Sequence, residues 1–396
     1  MYNGNMFTRK LRIPHRCTCF LFGPRGTGKT TWLRYLYPQA VFVDLLEARM
    51  FNALTADQQR LEQRLVGDTE TPIVIDEIQK LPPLLNEVHR LLEKHRYWFI
   101  LTGSSARKVR RSGINLLGGR ALTKHFHPLT APEMGRAFDF ETALTYGLLP
   151  SIYDPEKEVS PEDYLQSYVQ TYLREEVMQE GLTRNLSAFT RFLEAASFSQ
   201  GQLLNITAVA RECQIKRKLA ESYFQILEDL LLAVRVPAFE KRARRRIQRH
   251  PKFFFFDAGI FRALRPTGPL DCPAEIDGPA LETLVLQHLR AVISWRDPNA
   301  RIYYWRTATG LEVDFVVYSP NVFAAIEIKR KKNVSATDLR GLQAFAEDYP
   351  EADRLVLYGG DYEENIKGNR LIPIQHALPE LENLIWENGV GLGAKN

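Results

Sequence analysis

The chain has 396 residues, enough for roughly two to four domains that each bury a core. With 45% hydrophobic and 25% charged residues it has the balance of a folded soluble protein, which excludes disorder as the default state. The formal net charge of +5 is too small to commit the whole surface to an anionic partner.

No apolar stretch approaches the roughly 20 residues of a membrane helix, so no membrane association is expected. The N-terminal MYNGNMFTRKLRIPHRC lacks the apolar core and small-residue cleavage site of a signal peptide. Cys17, Cys19, Cys213 and Cys272 show neither paired metal spacing nor disulfide density, which points to a reduced, cytoplasmic setting.

An apolar run, Cys19 to Phe22, leads into Gly23-Pro24-Arg25-Gly26-Thr27-Gly28-Lys29-Thr30, then Thr31 and a helical pattern with Leu33 and Leu36 on one face. This fits G-x-x-x-x-G-K-[ST] in its strand–loop–helix context. Gly23 to Thr31 are therefore expected to hold the phosphates of ATP, because glycines let backbone N–H groups turn inward beside a helix N-terminus. Lys29 is expected at the β- and γ-phosphates and the Thr30 hydroxyl on Mg²⁺. A glycine turn without a ligand is the competing reading, and the context disfavours it.

Pro72-Ile73-Val74-Ile75-Asp76-Glu77 reads as a buried strand ending in two acids. Behind a P-loop, Asp76 would hold Mg²⁺ through water and Glu77 would polarise the attacking water. An amphipathic helix with Leu84, Leu85, Val88, Leu91 and Leu92 follows. The strand Trp98–Leu101 ends in Thr102-Gly103-Ser104-Ser105, where Ser104 either senses the γ-phosphate or caps a helix. Strands at Val41–Asp44, Ile73–Ile75, Phe99–Leu101 and near Leu122–Phe126 alternate with helices. The expected fold is α/β, a doubly wound parallel sheet with nucleotide outside the C-terminal strand ends.

GPRGTGKTT, IVIDEIQKLP, LTGSS and Gly118-Gly119-Arg120 resemble the AAA-type ATPases of bacteria and archaea that carry a C-terminal domain of unknown function. Tyr146-Gly147-Leu148-Leu149-Pro150, the stretch Pro251 to Gly259 and Tyr304-Trp305-Arg306 also resemble that family, so the likeness covers nearly the whole chain. It implies Mg²⁺-dependent ATP hydrolysis. It also implies a homo-oligomer in which an arginine of a neighbouring subunit completes the site. Arg120 and Arg107 are the candidates, and a surface arginine is the competing reading for each.

Residues from about 140 to 200 read as helical, and the resemblance places a helical lid there. Tyr164, Tyr168, Val169, Tyr172 and Leu173 form a stripe better suited to a core than to base stacking. Next, Thr207 is expected to cap a short helix with Val209, Ala210 and Cys213. A second helix follows with Leu219, Tyr223, Ile226, Leu227 and Leu230 on one face. Two such helices joined by a tight turn read as helix-turn-helix, with Lys216, Arg217 and Lys218 where DNA contacts lie. The run KRARRRIQRHPK, residues 241–252, holds seven Lys or Arg and no acid. Between strands Ala233–Ala238 and Lys252–Phe256, residues 241–250 would form the cationic tip of a wing, presenting Lys241, Arg242, Arg244, Arg245, Arg246 and Arg249 to DNA. A protein-binding helical module with a charged loop remains open.

Residues 266–278, rich in Pro, Gly and Asp, are expected to be a linker, followed by a helix from Pro279 to about Trp295. Glu282 falls inside its apolar face, where an unpaired carboxylate is expensive, so it should have a cation, a metal or a raised pKa. Three strands follow, Ile302–Arg306, Leu311–Tyr318 and Val322–Lys329, and the short turn sets Asp314 roughly opposite Glu327. Val313, Phe315, Val317, Val322, Ala324, Ile326 and Ile328 make an apolar face. The charged face is what a half-buried sheet leaves to solvent.

The order helix-Glu, strand, strand-Asp, turn, strand-Glu-x-Lys resembles the PD-(D/E)XK nuclease-like domains. That resemblance implies Mg²⁺ between Asp314 and Glu327, Lys329 as the catalytic cation and Glu282 as a further acid. The expected domains are 1–138 ATPase, 139–200 lid, 201–265 winged helix and 266–396 nuclease-like. The expected activity is ATP hydrolysis coupled to DNA binding and metal-dependent DNA cleavage. Two alternatives stay open: an ATP-dependent switch with a non-catalytic nuclease fold, and an oligomerising sensor that gates the nuclease.

Overall fold

The computed structural model describes residues 7–65, 70–95, 97–105, 117–156, 158–173, 177, 185–241, 245 and 247–387. The backbone divides into two compact units, Met1–Pro128 with Asp229–Leu232, and Leu129–Glu228 with Ala233–Asn396.

The first unit holds β1 (Cys19–Phe22), β2 (Val41–Asp44), β3 (Ile73–Asp76), β4 (Phe99–Gly103) and β5 (Leu122–His125). They form one sheet in the order β2-β3-β4-β1-β5, with every pairing parallel. β1, β3 and β4 are buried along their whole length, which accounts for their continuous apolar sequences. The helix Leu84–Lys94 buries Leu84, Leu85, Val88 and Leu91 in the same core. The expected parallel α/β sheet is present, strand by strand.

The second unit starts with helices Ala131–Met134, Phe140–Tyr146, Pro161–Ser167, Leu186–Ser197, Ile206–Glu212 and Arg217–Asp229, apart from the last residue of the last. Tyr168 and Leu173 of the expected stripe are buried, with the Tyr168 ring 6.3 Å from Phe256, while Tyr164 and Val169 are half-buried. Asn205, not Thr207, caps Ile206–Glu212: its side chain accepts from Ala208 N at 3.1 Å. Thr207 lies too late in the chain for that bond. In Arg217–Asp229 the apolar face is Ala220, Tyr223, Phe224 and Leu227, spaced by three and four, while Leu219 is 38% exposed.

β6 (Ala233–Val236) pairs antiparallel with β7 (Lys252–Phe255). The described residues of the run between them do not form the free tip that was expected. Ala238 bridges to Tyr304 and Ile247 to Thr307, Phe239 N donates to Tyr304 O at 2.7 Å, and the Phe239 side chain enters a core with Trp305 and Phe345. Apolar Phe239 and Ile247 anchor the two sides of the run.

Helix Ala258–Leu264 precedes helix Pro273–Arg296, which begins inside the stretch expected as a linker. Pro273 occupies the first turn, where a missing N–H costs nothing, and Ile276, Ala280 and Leu281 bury the early face. A six-stranded sheet follows, from β8 (Arg301–Arg306), β9 (Glu312–Ser319), β10 (Val322–Lys329), β11 (Asp353–Tyr358), β12 (Glu364–Ile366) and β13 (Asn369–Pro373). Its order is β12-β13-β11-β10-β9-β8, with β11 parallel to both neighbours. Helices Pro273–Arg296, Arg340–Asp348 and Ile374–Trp386 pack on it. Val316 and Ala325 are fully buried along with Phe315 and Ile326, so neither face of the β9–β10 hairpin is the solvated one expected.

Two of the family-like motifs meet here. The Asp257 carboxylate accepts from Leu148 N at 2.8 Å, Gly259 N at 2.9 Å and Ile260 N at 3.1 Å. Gly147 has φ 76°, and a Cβ there would lie 2.0 Å from Asp257 Oδ1. Nearby, His288 Nε2 accepts from Ala131 N at 2.9 Å while Nδ1–H donates to Leu284 O at 2.7 Å, so the ring is neutral.

Burial lowers the His288 pKa to about 4. Between the unfolded value of about 6.5 and that folded value, the unfolded chain binds the extra proton. Stability therefore falls as pH drops through this window, by about 1.4 kcal/mol per unit and on the order of 3 kcal/mol in total. Asp257, raised to about 6 by burial against its three N–H partners, acts in the opposite direction. Comparing wild type with His288→Gln isolates the histidine: the variant should lose less stability between pH 6.5 and 4 in urea unfolding. Parallel pH profiles would contradict this.

Candidate functional site

In the first unit, the loop after β1 turns through Gly26 (φ 83°) and Gly28 (φ 87°), conformations open chiefly to glycine. Gly28 then starts the helix Lys29–Leu36. Lys29 is buried, and its Nζ donates to Gly23 O at 2.7 Å and Pro24 O at 3.1 Å, folding the side chain over the loop. Thr27 Oγ1 donates to Pro24 O at 2.8 Å. The Arg9 guanidinium stacks 4.1 Å from the Phe126 ring centroid and donates to Thr27 O at 3.3 Å, bracing the loop from outside its own sequence.

Thr30 Oγ1 donates to Asp76 Oδ2 at 2.7 Å, and Thr102 Oγ1 donates to Asp76 Oδ1. A threonine hydroxyl beside a carboxylate supplies hard oxygens, so Thr30 and Asp76 fit Mg²⁺, which needs few protein ligands when phosphates and waters complete its shell. Glu77 adopts φ 59° directly after β3, and its N donates to Thr102 Oγ1 at 3.2 Å. Gln79 Nε2 donates to Ser104 Oγ at 2.9 Å and also to Glu77 Oε2. Ser104 thus sits two hydrogen bonds from Glu77. Sequence reasoning missed Arg9, Gln79 and Thr102; of these, only Thr102, at a strand tip beside the P-loop strand, carried a local signal.

Arg120 is exposed and pairs with Glu93 at 3.0 Å. Arg107, Arg242, Arg244 and Arg246 lie outside the described residues.

In the second unit, the register Ile326↔Phe315 makes Asp314 and Glu327 the next facing pair, and Asp314 Oδ2 accepts from Ile328 N at 2.8 Å. Asp314 and Glu327 are only 8% and 5% exposed. Lys329 Nζ donates to Glu327 Oε1 at 2.5 Å, leaving Glu327 Oε2 buried with no hydrogen-bond partner. Glu282 Oε2 is in the same condition.

Glu282 was expected to have a cation, a metal or a raised pKa, and the cation comes from a residue the sequence did not single out for it. Lys252 of β7, 2% exposed, binds Glu312 Oε1 and lies 3.6 Å from Glu282 Oε2 and 3.8 Å from Asp314 Oδ1. Arg306 pairs with Glu312 at 3.0 Å. Burial works against the Lys252 ammonium, but Glu282, Asp314 and Glu312 outweigh it and hold its pKa above the ordinary lysine value. Burial raises Glu282 to about 8 against the pull of Lys252. Glu327 is raised by burial and by the Asp314 charge, with Lys329 opposing.

Among the described residues no three or more His, Cys, Asp or Glu are grouped to hold a metal ion. Mg²⁺ can be bound through one or two carboxylates plus water. Asp314 and Glu327 fit that donor set, and the unpartnered Glu327 Oε2 is the atom that would take it.

Lys216, Arg217 and Lys218 are exposed around the start of helix Arg217–Asp229. The described members of the later basic run are engaged within the unit. Lys241 lies 4.1 Å from the Tyr318 ring centroid, Arg245 pairs with Glu347 and with Asp348 at 3.2 Å, and Arg249 pairs with Glu240 at 3.3 Å.

Among the described residues no helix is long and apolar enough to cross a membrane. Residues 15–135 match the family model of an AAA domain, 137–271 a domain of unknown function (DUF8612) and 277–377 a second one (DUF4143). Uncharacterized proteins of Mycobacterium bovis and Mycobacterium tuberculosis are 26% identical over 363 residues, covering 89% of this chain and 79% of theirs. Among solved structures, the Aeropyrum pernix ORC1 protein in complex with DNA is similar at 15% identity and TM-score 0.29, covering 64% of this chain and 87% of that one. A Vibrio cholerae protein is similar at 12% and 0.22, covering 94% and 97%. Neither TM-score bears structural weight. The five-stranded parallel sheet, the P-loop geometry and the AAA-domain match together identify residues 15–135 as an AAA-type P-loop ATPase domain, fitted to bind ATP.

Proposed function

We propose that the protein hydrolyses Mg²⁺-ATP at the P-loop and cleaves DNA at the Asp314–Glu327–Lys329 cluster. In the ATPase half, Gly23 to Thr31 cradle the phosphates, Thr30 and Asp76 hold Mg²⁺, and Glu77 orients the attacking water. Ser104, linked to Glu77 through Gln79, is placed to report the γ-phosphate. Arg120, exposed, is available to a neighbouring copy.

The nuclease half is carried by one observation, the buried Glu327 Oε2 that lacks a partner beside Asp314 and Lys329. A buried carboxylate oxygen without a donor is costly, and a cation relieves it. A divalent ion there would supply an activated water and neutralise phosphate charge. Lys329 would steady charge on the scissile phosphate, and Glu282 would add a further acid. DNA would be gripped by Lys216, Arg217 and Lys218, at the start of the second helix of a helix-turn-helix whose hairpin is β6–β7.

A second reading, an ATP-dependent switch with a non-catalytic nuclease fold, is favoured by a different observation: Lys252 already occupies the space among the acids.

Three measurements test this. Glu77→Gln should keep ATP affinity while turnover falls about 100-fold or more, and unchanged turnover removes Glu77 from its role. Plasmid cleavage with Mg²⁺ or Mn²⁺ should fall about 100-fold or more in Asp314→Asn and in Lys329→Met. No cutting by wild type, with or without ATP, would leave the switch. Replacing Lys216, Arg217 and Lys218 with Ala should weaken DNA binding and flatten its dependence on salt, the slope shrinking by about one for each phosphate that is no longer neutralised. An unchanged slope would place DNA elsewhere.

A further inference from the structure

Lys252 lies outside the strand-Asp, strand-Glu-x-Lys constellation, yet it is the group nearest to most of the cluster's carboxylates. Its backbone is fixed from two sides: Val236 pairs with it across β6–β7, and Leu203 bridges to it from the segment before helix Ile206–Glu212. Leu204 N donates to Pro251 O at 2.8 Å beside it. The ammonium is thus delivered among Glu282, Glu312 and Asp314 by elements that carry none of those acids.

The charge balance shows what this does. Glu282, Glu312, Asp314 and Glu327 bring four formal negative charges; Lys252, Lys329 and Arg306 return three. Asp314 Oδ2 is engaged by Ile328 N, so the carboxylate oxygen facing Lys252, Oδ1, is the freer of the two for a ligand. A divalent ion bound at Oδ1 would meet the ammonium at close range, in a site where charges are weakly screened. Glu282 Oε2 lies 3.6 Å from the ammonium without a hydrogen bond, and Glu327 Oε2 has no hydrogen-bond partner, so Lys252 leaves part of the cluster unmet.

We infer that Lys252 is a positioning residue that sets the divalent-cation affinity of the acidic cluster, through the ammonium that β7 places beside Asp314 Oδ1, Glu282 and Glu312. This rests on the proposed metal-dependent reading of the cluster. Lys252 holds the acids in place while no metal is bound and weakens metal binding by occupying their field. Loading the site requires the ammonium to move off Asp314.

The test is a Mn²⁺ titration of the full chain without nucleotide, followed by the electron spin resonance of free Mn²⁺, with thermal unfolding run alongside. Lys252→Met should bind Mn²⁺ about ten-fold tighter than wild type at the site abolished by Asp314→Asn, and Mn²⁺ should raise its Tm more than that of wild type. Should Lys252→Met fail to fold, Lys252→Gln, which removes the charge but keeps a hydrogen-bond donor for Glu312, should show the same tightening. Lys252→Arg keeps the cation and should bind no tighter than wild type. If Asp314→Asn removes Mn²⁺ binding but loss of the ammonium gives no tightening, Lys252 does not have this role and the metal reading survives. If Asp314→Asn leaves Mn²⁺ binding unchanged in both the wild-type and Lys252→Met backgrounds, the metal reading fails and the inference fails with it.

Discussion

A carboxylate taken out of water needs a cation or a set of N–H donors, and the second unit is organised around that demand. It meets the demand in two ways. Asp257, fully buried, receives backbone N–H groups from Leu148, Gly259 and Ile260, and so ties the turn after helix Phe140–Tyr146 to the start of helix Ala258–Leu264. Glu282, Glu312 and Asp314 instead converge on the Lys252 ammonium, which ties β7 to helix Pro273–Arg296 and to β9. The first arrangement is dense in donors and closed. The second is looser: Glu282 Oε2 meets the ammonium only at 3.6 Å, without a hydrogen bond, and neighbouring Glu327 Oε2 has no hydrogen-bond partner.

The nucleotide site was legible because its information is local. A strand, a glycine turn and a helix start lie within a short stretch of chain, and their chemistry requires that order. The facing of Asp314 and Glu327 was legible for the same reason, since a short turn fixes hairpin register. The wet face assigned to that hairpin failed because alternation reports two faces but not how many layers cover them. Val316 and Ala325 are small enough to look indifferent in sequence, yet both are fully buried. The cover comes from Phe239, far upstream, and from helix Arg340–Asp348, whose Leu342 and Phe345 share their core.

Lys252 shows the same limit more sharply. By sequence it closes a basic run and opens the expected strand Lys252–Phe256, and nothing there directs it at the acids. In space it leaves the run's other described members at Tyr318, Glu347, Asp348 and Glu240 and turns alone into the acid cluster. What separates it from its neighbours is its place in β7, which is buried on both faces along its whole length. Lys252 is the first residue of β7 and shares a strand with Phe253, Phe254 and Phe255, so its side chain goes inward with a buried hairpin. Charge composition cannot reveal that; strand register can.

A resemblance that spans a whole chain mixes residues that do chemistry with residues that hold shape, and counting lone pairs separates them. The glycine–aspartate joint at Gly147 and Asp257 looked as distinctive in sequence as the P-loop, but each Asp257 oxygen is already bound by backbone N–H, which leaves nothing for a ligand. Asp76 is also fully engaged, but by the hydroxyls of Thr30 and Thr102, and a hydroxyl can turn to present its oxygen to a metal whereas a backbone amide cannot. Glu327 goes furthest, with one oxygen on Lys329 and the other on nothing. On this measure Asp257 is architecture, Asp76 is a site poised for exchange, and Glu327 is the buried acid of the three that still lacks a partner.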